Sequence, residues 1–175
     1  MNPANKKVLC LVHNDFEDLE LWYPVLRLRG EGFKVILAGD IGNHVYVGKY
    51  GVPAKSDVSF EEIDAEDYDG LLVPGGWAPD KLRRSPDVLE FTRKMMASGK
   101  PVGQICHAGW VLVSANVLKG RKVTGSPGIK DDLINAGGLW SDDAVVVDGN
   151  LVSAQKPADL PFYTNAFLEL FEAEN

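Results

Sequence analysis

Short apolar runs alternate along the chain with segments in which apolar residues recur every three or four positions. Such runs predict buried strands, and the recurring pattern predicts helices with one apolar face. The predicted strands cover residues 7–12, 33–38, 70–73, 101–105 and 122–125. The predicted helices cover residues 18–31, 61–69, 86–98, 107–118, 128–136 and 157–173. This alternation predicts an α/β fold with a doubly wound, mostly parallel sheet and helices on both faces.

Two hairpins interrupt the alternation. Residues 45–52 alternate in polarity and contain two glycines, which favours a hairpin at the edge of the sheet. Further on, Asp-Gly-Asn at 148–150 separates the apolar runs 144–147 and 151–154. An Asp-Gly pair between two such runs is a strong signal for a tight hairpin turn. The chain therefore ends with an antiparallel strand pair followed by the last helix.

The composition fits one globular domain over residues 1–175, with 45% apolar and 25% charged residues. The net charge of −7 disfavours a nucleic-acid-binding surface. No apolar run is long enough to span a bilayer, and the polar first seven residues do not resemble a signal peptide. The two cysteines predict no disulfide framework and a cytoplasmic protein. The scattered histidines and cysteines have no metal-ligand spacing, so we expect no metal site.

Cys106 stands between the predicted strand 101–105 and the predicted helix that follows it. A side chain at this junction projects over the carboxyl edge of the sheet, where open α/β proteins bind ligands. It also lies near the positive end of the helix dipole, which favours the nucleophilic thiolate. Position alone fits an activated nucleophile and a buried structural cysteine equally well. Cys10, in the middle of the first strand, fits only the second description.

Three strand ends should meet at this edge of the sheet. The candidate residues there are Glu17, Glu20, Gly75, Gly76, Cys106 and His107. An acidic residue in a first helical turn often only complements the helix dipole, which is the simpler role for Glu17. The paired glycines form either a tight turn or a set of backbone N–H groups that can bind an oxyanion.

Adjacent residues on a helix do not face each other, so we do not expect His107 to act simply as the base for Cys106. Glu20 offers another way to tune the thiol. A protonated Glu20 could donate a hydrogen bond to the thiolate, whereas an ionised one would repel it. We therefore expect Glu20 and Cys106 to share one proton.

Six segments, in order over nearly the whole chain, form a specific combination. They are DFEDLELWYP at 15–24, VPGGWAP at 73–79, ICH at 105–107, LKGRK at 118–122, PGIKDDLINAG at 127–137 and VVVDGN at 145–150. Together they resemble the PfpI intracellular protease family. This family belongs to the superfamily of the parkinsonism-associated deglycase, which includes bacterial general stress proteins. The resemblance implies a flavodoxin-like three-layer sandwich with a nucleophile elbow at Cys106.

The resemblance also assigns roles to other residues. The family's active-site glutamate, four residues before a proline, matches Glu20. Its oxyanion donors match the backbone at Gly75, Gly76 and His107. A carboxylate that reaches a neighbouring subunit's histidine in the PfpI branch matches Asp80, where the archaeal protease has the longer Glu. The shorter side chain makes a contact with His107 harder to form.

Two departures from the family pattern affect the rim of the predicted site. Trp77 occupies the variable position after Gly-Gly, where its indole should narrow the pocket and contact a substrate. Ala-Gly-Trp at 108–110 replaces the commoner Gly-Pro-Gln after Cys-His, which predicts a different rim. Glu17 completes the set of residues that we expect around a bound substrate.

The resemblance implies a stress-response cysteine enzyme that uses no cofactor. Relatives are credited with glyoxalase, deglycase and peptidase activities, and each begins with attack of a thiolate such as Cys106 on a carbonyl carbon. Our first interpretation is a glyoxalase or deglycase that acts on reactive dicarbonyls, with a small aldehyde or a glycated protein as substrate. An intracellular cysteine peptidase ranks second, because it needs an oriented histidine and the contact of Asp80 is in doubt.

A non-enzymatic role stays open. An accessible, reactive Cys106 would also suit a sensor of oxidative stress, through sulfenic and sulfinic acid. Cys10 is not placed to resolve a sulfenic acid, which favours one-way sensing over peroxidase turnover. Chaperone activity is a further alternative. The resemblance also implies a homodimer, with a hexamer as a larger assembly.

Overall fold

The computed structural model describes residues 2–172. The strands are β1 Lys7–Leu11, β2 Lys34–Gly39, β3 Val45–Val47, β4 Pro53–Lys55, β5 Val58–Ser59, β6 Gly70–Val73, β7 Val102–Ile105, β8 Lys122–Val123, β9 Leu139–Trp140, β10 Val145–Asp148 and β11 Leu151–Ala154. The α-helices are α1 Asp18–Gly30, α2 Ala78–Leu82, α3 Pro86–Ser98, α4 Gly109–Ala115, α5 Lys130–Asn135 and α6 Leu160–Glu172. Single 3-10 turns cover Pro3–Asn5, Phe60–Glu62, Ala65–Asp67, Cys106–Ala108, Pro127–Ile129 and Pro157–Asp159.

Seven strands form the central sheet, in the order β10-β11-β7-β6-β1-β2-β5. All neighbours in it run parallel except the β10–β11 hairpin at one edge. Two small pairs lie outside it, the antiparallel β3–β4 hairpin and the parallel pair β8–β9. The predicted flavodoxin-like α/β sandwich with a mostly parallel sheet is therefore confirmed.

The central strands are buried because helices surround the sheet, which explains their continuous apolar runs. Along β1, the residues from Val8 to Leu11 are fully buried. Helix α6 approaches the sheet closely at two glycines. A methyl group at Gly103 would lie 2.4 Å from the Tyr163 hydroxyl oxygen, and one at Gly70 would lie 2.8 Å from the Phe171 ring. These strands therefore lack a side chain where the aromatic face of α6 packs.

Several predicted elements are confirmed with small shifts at their ends. Strands β1, β2, β6 and β7 and helices α1 and α3 lie where the pattern places them. The β10–β11 hairpin turns at residues 149–150, as the Asp-Gly pair indicates. Helix α3 begins after Ser85, whose hydroxyl accepts the Val88 N–H, and ends at Gly99 in the left-handed conformation.

Other predictions are wrong in detail. Residues 61–69 form two 3-10 turns rather than a helix, and the edge strand β5 precedes them. Residues 45–52 are not a complete hairpin, because the second strand begins only at Pro53 and lies outside the main sheet. The predicted strand 122–125 shortens to two residues and pairs with the unpredicted β9. In such short segments, tertiary packing outweighs local propensity.

The helical predictions in the second half are too long. Residues 107–118 form a 3-10 turn followed by the short helix α4, and residues 128–136 form a 3-10 turn followed by α5. The last helix begins at Leu160 after a further turn, and its predicted last residue, 173, lies outside the described residues. No helix within residues 2–172 is long and apolar enough to cross a membrane.

Candidate active site

Cys106 directly follows β7 and adopts a left-handed backbone conformation with φ of 60°. A positive φ is uncommon for a residue with a side chain and costs about 1–2 kcal/mol. Such strain clusters at functional sites. The chain turns sharply here, so that the thiol leaves the end of the strand at a nucleophile elbow.

The Cys106 sulfur lies 3.1 Å from Nδ1 of His107. This contact shows that our expectation for adjacent residues is wrong. The two residues do not follow a regular helix, because Cys106 has a positive φ and α4 begins only at Gly109. Burial, and then the charge of Lys49, lower the pKa of the His107 imidazole, so the ring is neutral at pH 7. With its proton on Nε2, the ring presents a free Nδ1 lone pair to the thiol.

Glu20 lies on α1 and is only 1% exposed. Its Oε2 accepts the Gly75 N–H at 2.9 Å, while the buried Oε1 has no hydrogen-bond partner within residues 2–172. A methyl group at Gly75 would lie 2.3 Å from this Oε2 and 2.7 Å from Cys106 Cβ, so the two side chains meet above the glycine. Burial, and then the charge of Glu17, raise the pKa of Glu20 to about 8.

The thiol itself is harder to ionise than the sequence suggests. Burial, followed by the charge of Glu20, raises the pKa of Cys106 to about 12, although the Gly76 and His107 N–H groups act in the opposite direction. The helix dipole gives little help, because α4 starts three residues later and is short. At neutral pH, below the Glu20 pKa of about 8, the protonated form of Glu20 predominates, and it does not repel the thiolate. The thiol then needs a proton acceptor, and His107 is in contact with it.

Glu17 connects the start of α1 to the glycine pair of the site through hydrogen bonds. It caps α1 through the Glu20 N–H, which its Oε2 accepts at 2.8 Å, and it is almost fully buried. Its own N–H donates to the Gly75 carbonyl at 3.1 Å. Gly76 has a φ of 78°, and a methyl group on it would lie 2.4 Å from the Glu17 nitrogen. The structure therefore places Glu17 as a helix cap beneath the site rather than at its open face.

The three backbone groups that the resemblance assigns to an oxyanion hole divide into two kinds. The Gly75 N–H already donates to Glu20. Those of Gly76 and His107 act on the Cys106 thiol and lower its pKa, which favours the thiolate. A carbonyl oxygen beside this sulfur would find its donors in that second pair.

Trp77 and Trp110 both contact His107, with ring centroids 5.0 Å and 5.2 Å from the imidazole. Asp80 lies on α2 next to Trp77. Its carboxylate accepts a hydrogen bond from Arg84 at 2.5 Å and makes none with His107 within the described part of the chain. The structure thus brings together the predicted thiol, imidazole, Glu20 and Trp77, but it turns Asp80 toward Arg84.

Two residues near the site escaped the sequence analysis. Lys49, between β3 and β4, acts electrostatically on both Glu20 and His107. Its N–H donates to the Phe16 carbonyl at 2.9 Å, which fixes the loop beside the start of α1. Asp18 holds the same loop through hydrogen bonds to the Tyr50 and Val52 N–H groups. No local pattern marks these residues, because the hairpin reaches the site only through tertiary packing.

No group of three or more His, Cys, Asp or Glu side chains in residues 2–172 could hold a metal ion. The two cysteines are free thiols. The chemistry that this arrangement supports is nucleophilic attack by sulfur. An imidazole and a carboxyl group are in place for proton transfer, and backbone N–H groups can stabilise an oxyanion.

Known proteins share both the sequence and the fold. The chain is 47% identical over 166 residues to a deglycase of Pyrococcus horikoshii, covering 95% of this chain and 99% of the relative. It is 46% identical, with the same coverage, to the deglycase PfpI of Pyrococcus furiosus. A Bacillus subtilis protein with a provisional cysteine-protease name is 38% identical over 168 residues, covering 96% of this chain and 99% of that protein.

Solved structures agree with these relatives. An Anabaena variabilis protein with DJ-1/ThiJ/PfpI-like and ferritin-like domains superposes with a TM-score of 0.93 at 38% identity, covering 95% of this chain and 48% of that two-domain chain. Drosophila melanogaster DJ-1beta superposes with a TM-score of 0.87 at 28% identity, covering 95% and 90% of the two chains. The sequence profile of the DJ-1/PfpI family matches residues 6–170. From these matches and the shared fold, the chain is a member of the DJ-1/PfpI family.

Proposed function

We propose that this protein is a cofactor-independent glyoxalase or deglycase that acts on reactive dicarbonyls through Cys106. The observation that carries the proposal is the contact of 3.1 Å between the Cys106 sulfur and a neutral His107, with Glu20 buried beside them. The deglycase names of the Pyrococcus relatives support it. The role of the cysteine in this chain rests on the geometry.

The first step is addition of the thiol to an aldehyde. His107 Nδ1 takes the thiol proton, and the sulfur forms a bond to the aldehyde carbon. The carbonyl π electrons move to the oxygen, where the Gly76 and His107 N–H groups stabilise the negative charge. The proton then passes from the imidazole to this oxygen, which gives a hemithioacetal on Cys106.

The second step moves a proton between neighbouring carbons. An ionised Glu20 removes the proton from the hemithioacetal carbon, which gives an enediolate with its negative charge on the ketone oxygen. That oxygen takes the hydroxyl proton of the first carbon, and the C=O bond of the thioester forms as Glu20 returns its proton to the adjacent carbon. The product is a thioester of lactate, which water hydrolyses to lactate and the free thiol. A carboxyl group with a pKa of about 8 is available in both protonation states near neutral pH, as this role requires.

Lactate formation from methylglyoxal, after treatment with a chelator, tests the proposal. We expect activity in the wild type and a loss of at least about a hundredfold in Cys106→Ala and in Glu20→Gln, because each removes a group that takes part in bond making. Cys10→Ala is the matched control, since it removes the other thiol. Lactate formation that survives Cys106→Ala would contradict the proposal.

A cysteine peptidase is the second candidate, and the contact between Cys106 and His107 favours it. The name of the Bacillus relative agrees with this candidate. The exposed indole of Trp77 and the pairing of Asp80 with Arg84 fit a small aldehyde better than an extended peptide. Casein degradation without lactate formation would favour the peptidase.

We place the protein in the cytoplasmic stress response, where dicarbonyls arise and thiols stay reduced. Its two free cysteines support this setting. A third candidate, a non-enzymatic oxidation sensor or chaperone, predicts neither lactate nor peptides. It predicts conversion of Cys106 to a sulfinic acid by peroxide. Mass spectrometry of the peroxide-treated protein, alongside the lactate assay, separates the sensor from the enzyme.

We further propose a homodimer, with a hexamer as its larger assembly. The outward face of α1 carries the apolar side chains of Leu19 and Leu26, which are 58% and 59% exposed. Tyr50 and Trp77 add exposed aromatic area near the site. Exposed apolar side chains on one helix face are typical of an interface between subunits, which supports the proposal.

A further inference from the structure

The His107 imidazole contacts two indole rings. The plane of the Trp77 ring is tilted by 51° to the imidazole, and that of Trp110 meets it edge to face at 63°. Both centroid distances lie within the range of favourable aromatic contacts. The two indoles therefore form aromatic walls against the imidazole, while its Nδ1 meets the Cys106 sulfur.

The wall formed by Trp110 is fixed by polar contacts. Its Nε1–H donates to Asp132 Oδ2 at 2.8 Å, which ties α4 to α5. The Arg83 guanidinium lies over the same indole, 5.5 Å from its centroid, and donates from Nε to Ser114 Oγ at 2.8 Å. An indole that is held at its edge and covered on its face has little freedom to rotate away from His107.

The wall formed by Trp77 is partly exposed to solvent. Its backbone N–H donates to the Asp15 carbonyl at 2.8 Å, and its side chain is 53% exposed. In residues 2–172, no carboxylate forms a hydrogen bond or ion pair with the imidazole, and Asp80 pairs with Arg84 instead. Within the described residues of one chain, the two indoles are thus ring contacts that restrict the orientation of the imidazole.

We propose that Trp77 and Trp110 are positioning residues that hold His107 with Nδ1 toward the Cys106 sulfur, in place of a triad carboxylate. The inference rests on the proposed nucleophile Cys106 but not on a dicarbonyl substrate. A carboxylate that orients a histidine also favours the charged imidazolium. Neutral indoles restrict the rotation of the ring without adding a negative charge. The imidazole stays neutral, and its Nδ1 lone pair can take the proton as the S–H bond breaks.

The charged and titratable groups around this ring are few. The Cys106 thiol contacts the ring, Glu20 lies next to that thiol, and Lys49 acts on the ring from the β3–β4 loop. Arg83 and Asp132 contact Trp110 rather than the imidazole. The indoles add no titrating group. Their loss should therefore lower the rate of Cys106 alkylation without changing the number of ionisations in its pH profile.

Alkylation of Cys106 by iodoacetamide, followed from pH 6 to pH 9, tests the proposal without any substrate. We expect Trp110→Ala to slow it roughly tenfold at pH 7, because a misdirected imidazole accepts the thiol proton poorly. Trp110→Phe should restore most of the rate. In the His107→Ala background, Trp110→Ala should cause no further loss, since the indole then has no ring to position.

The chain offers a matched control in Trp140. Its Nε1–H donates to Asp142 Oδ1 at 2.7 Å, and Lys130 Nζ lies over its ring at 5.3 Å from the centroid. Like Trp110, Trp140 therefore has a carboxylate and a cation as partners, although they are different residues. Trp140 makes no ring contact with His107 in the described residues. We expect Trp140→Ala to leave the rate of alkylation unchanged. Circular dichroism and the thermal midpoint of each variant show that the fold is retained.

The inference is overturned if Trp110→Ala alkylates at the wild-type rate, or if it slows alkylation equally with and without His107. If Trp110→Ala fails to fold, Trp77→Ala is compared with and without His107 in the same way. The Trp77 indole is more than half exposed, so its removal should disturb the fold less. If removing the indole only gives iodoacetamide easier access to Cys106, the rate should rise equally with His107 and with His107→Ala, so this effect cancels in the comparison. An unreactive Cys106 in the wild type is a different result, which would remove the proposed nucleophile itself.

Discussion

At the scale of single residues, the two cysteines carry the same side chain in different surroundings. Cys10 is 0% exposed within β1, and burial raises the pKa of its thiol to about 12. The pKa of Cys106 is raised as far, but its sulfur contacts an imidazole that can accept the proton. Reactivity therefore depends on access and on a neighbouring base, which the pKa of the thiol alone does not describe.

We predict that iodoacetamide modifies Cys106 in the native protein and leaves Cys10 intact. Only Cys106 combines partial exposure with a proton acceptor, so its rate should exceed that of Cys10 by at least about a hundredfold. Peptide mass spectrometry after limited labelling measures both rates, and labelling in denaturant shows that both thiols can react. Faster labelling of Cys10 in the native protein would reverse the assignment.

A second prediction concerns Glu20, whose pKa of about 8 lies above the ordinary value of 4.5. As the pH rises through about 8, the pair of Glu20 and Cys106 loses one proton, and the remaining proton can lie on either group. The thiolate form becomes accessible, so alkylation of Cys106 should speed up with an inflection near pH 8. Glu20→Gln cannot ionise and should lack this inflection, whereas Glu61→Gln, on an exposed turn, should keep it. Identical profiles in all three proteins would rule out the coupling.

The raised pKa of Glu20 also predicts how the free energy of unfolding depends on pH, and Glu20→Gln tests this prediction. The unfolded chain releases this proton near pH 4.5 and the folded chain near pH 8, so between these values the folded state binds more protons. The free energy of unfolding should fall as the pH rises through this window, by up to about 1.4 kcal/mol per pH unit. Urea unfolding at pH 5 and pH 8 should show this loss in the wild type and a smaller one in Glu20→Gln.

At the scale of elements, the short β3–β4 hairpin brings Lys49 to the site, although it does not join the main sheet. The carboxylate of Asp18, buried at the start of α1, accepts the Tyr50 N–H at 2.9 Å and the Val52 N–H at 2.8 Å. A methyl group on Gly48 would lie 2.4 Å from this carboxylate, so the loop folds tightly over it. One side chain thus connects the hairpin to the helix that carries Glu20.

We predict that Asp18→Asn loosens this loop. The amide keeps one acceptor oxygen but turns an NH₂ group toward a backbone N–H, which should cost about 1–3 kcal/mol. Hydrogen exchange should accelerate at the Tyr50 and Val52 amides. Asp87→Asn, which removes the same charge from the first turn of α3, is the matched control and should leave these amides unchanged. Unaltered protection in Asp18→Asn would show that the loop is held by other contacts.

At the scale of the whole molecule, the question is whether a second subunit completes the site. Asp80 is half exposed and pairs with Arg84, an exposed residue one turn further along the chain. Exposed ion pairs of this kind contribute about 1 kcal/mol or less, so Asp80 could exchange Arg84 for a partner subunit's imidazole at little cost. A dimer in which the two sites meet would make this exchange.

We predict that Asp80→Asn lowers any peptidase activity by at least about tenfold while Cys106 alkylation stays near the wild-type rate. Peptide cleavage also needs His107 as a charged acid for the leaving amine, which a carboxylate stabilises, whereas alkylation needs the imidazole only as a proton acceptor. Arg84→Gln removes the ion pair between Arg84 and Asp80 within one chain. It is the companion variant and should keep the peptidase activity. Light scattering confirms that each variant keeps its oligomeric state. Equal peptidase rates in Asp80→Asn and the wild type would remove Asp80 from the mechanism.

The sequence by itself determined the features that depend on neighbouring positions. Apolar runs identified the central strands, the Asp-Gly pair identified the β10–β11 turn, and the junction after β7 singled out Cys106. These predictions hold because period, capping and turn chemistry act over a few residues. Short elements such as β5, β8 and β9 escaped, because two residues carry too little pattern to outweigh tertiary packing.

Tertiary structure alone decided the geometry of the candidate site. The sequence argued against a direct Cys106–His107 contact, and the positive φ at the elbow makes that contact. The sequence proposed a shared proton on Glu20, but only its burial beside Glu17 sets the pKa at about 8. The wall formed by Trp110 depends on a hydrogen bond between α4 and α5, two helices that no local sequence pattern connects. Burial, charge and ring contacts sum over residues distant in the chain, so no local pattern contains them.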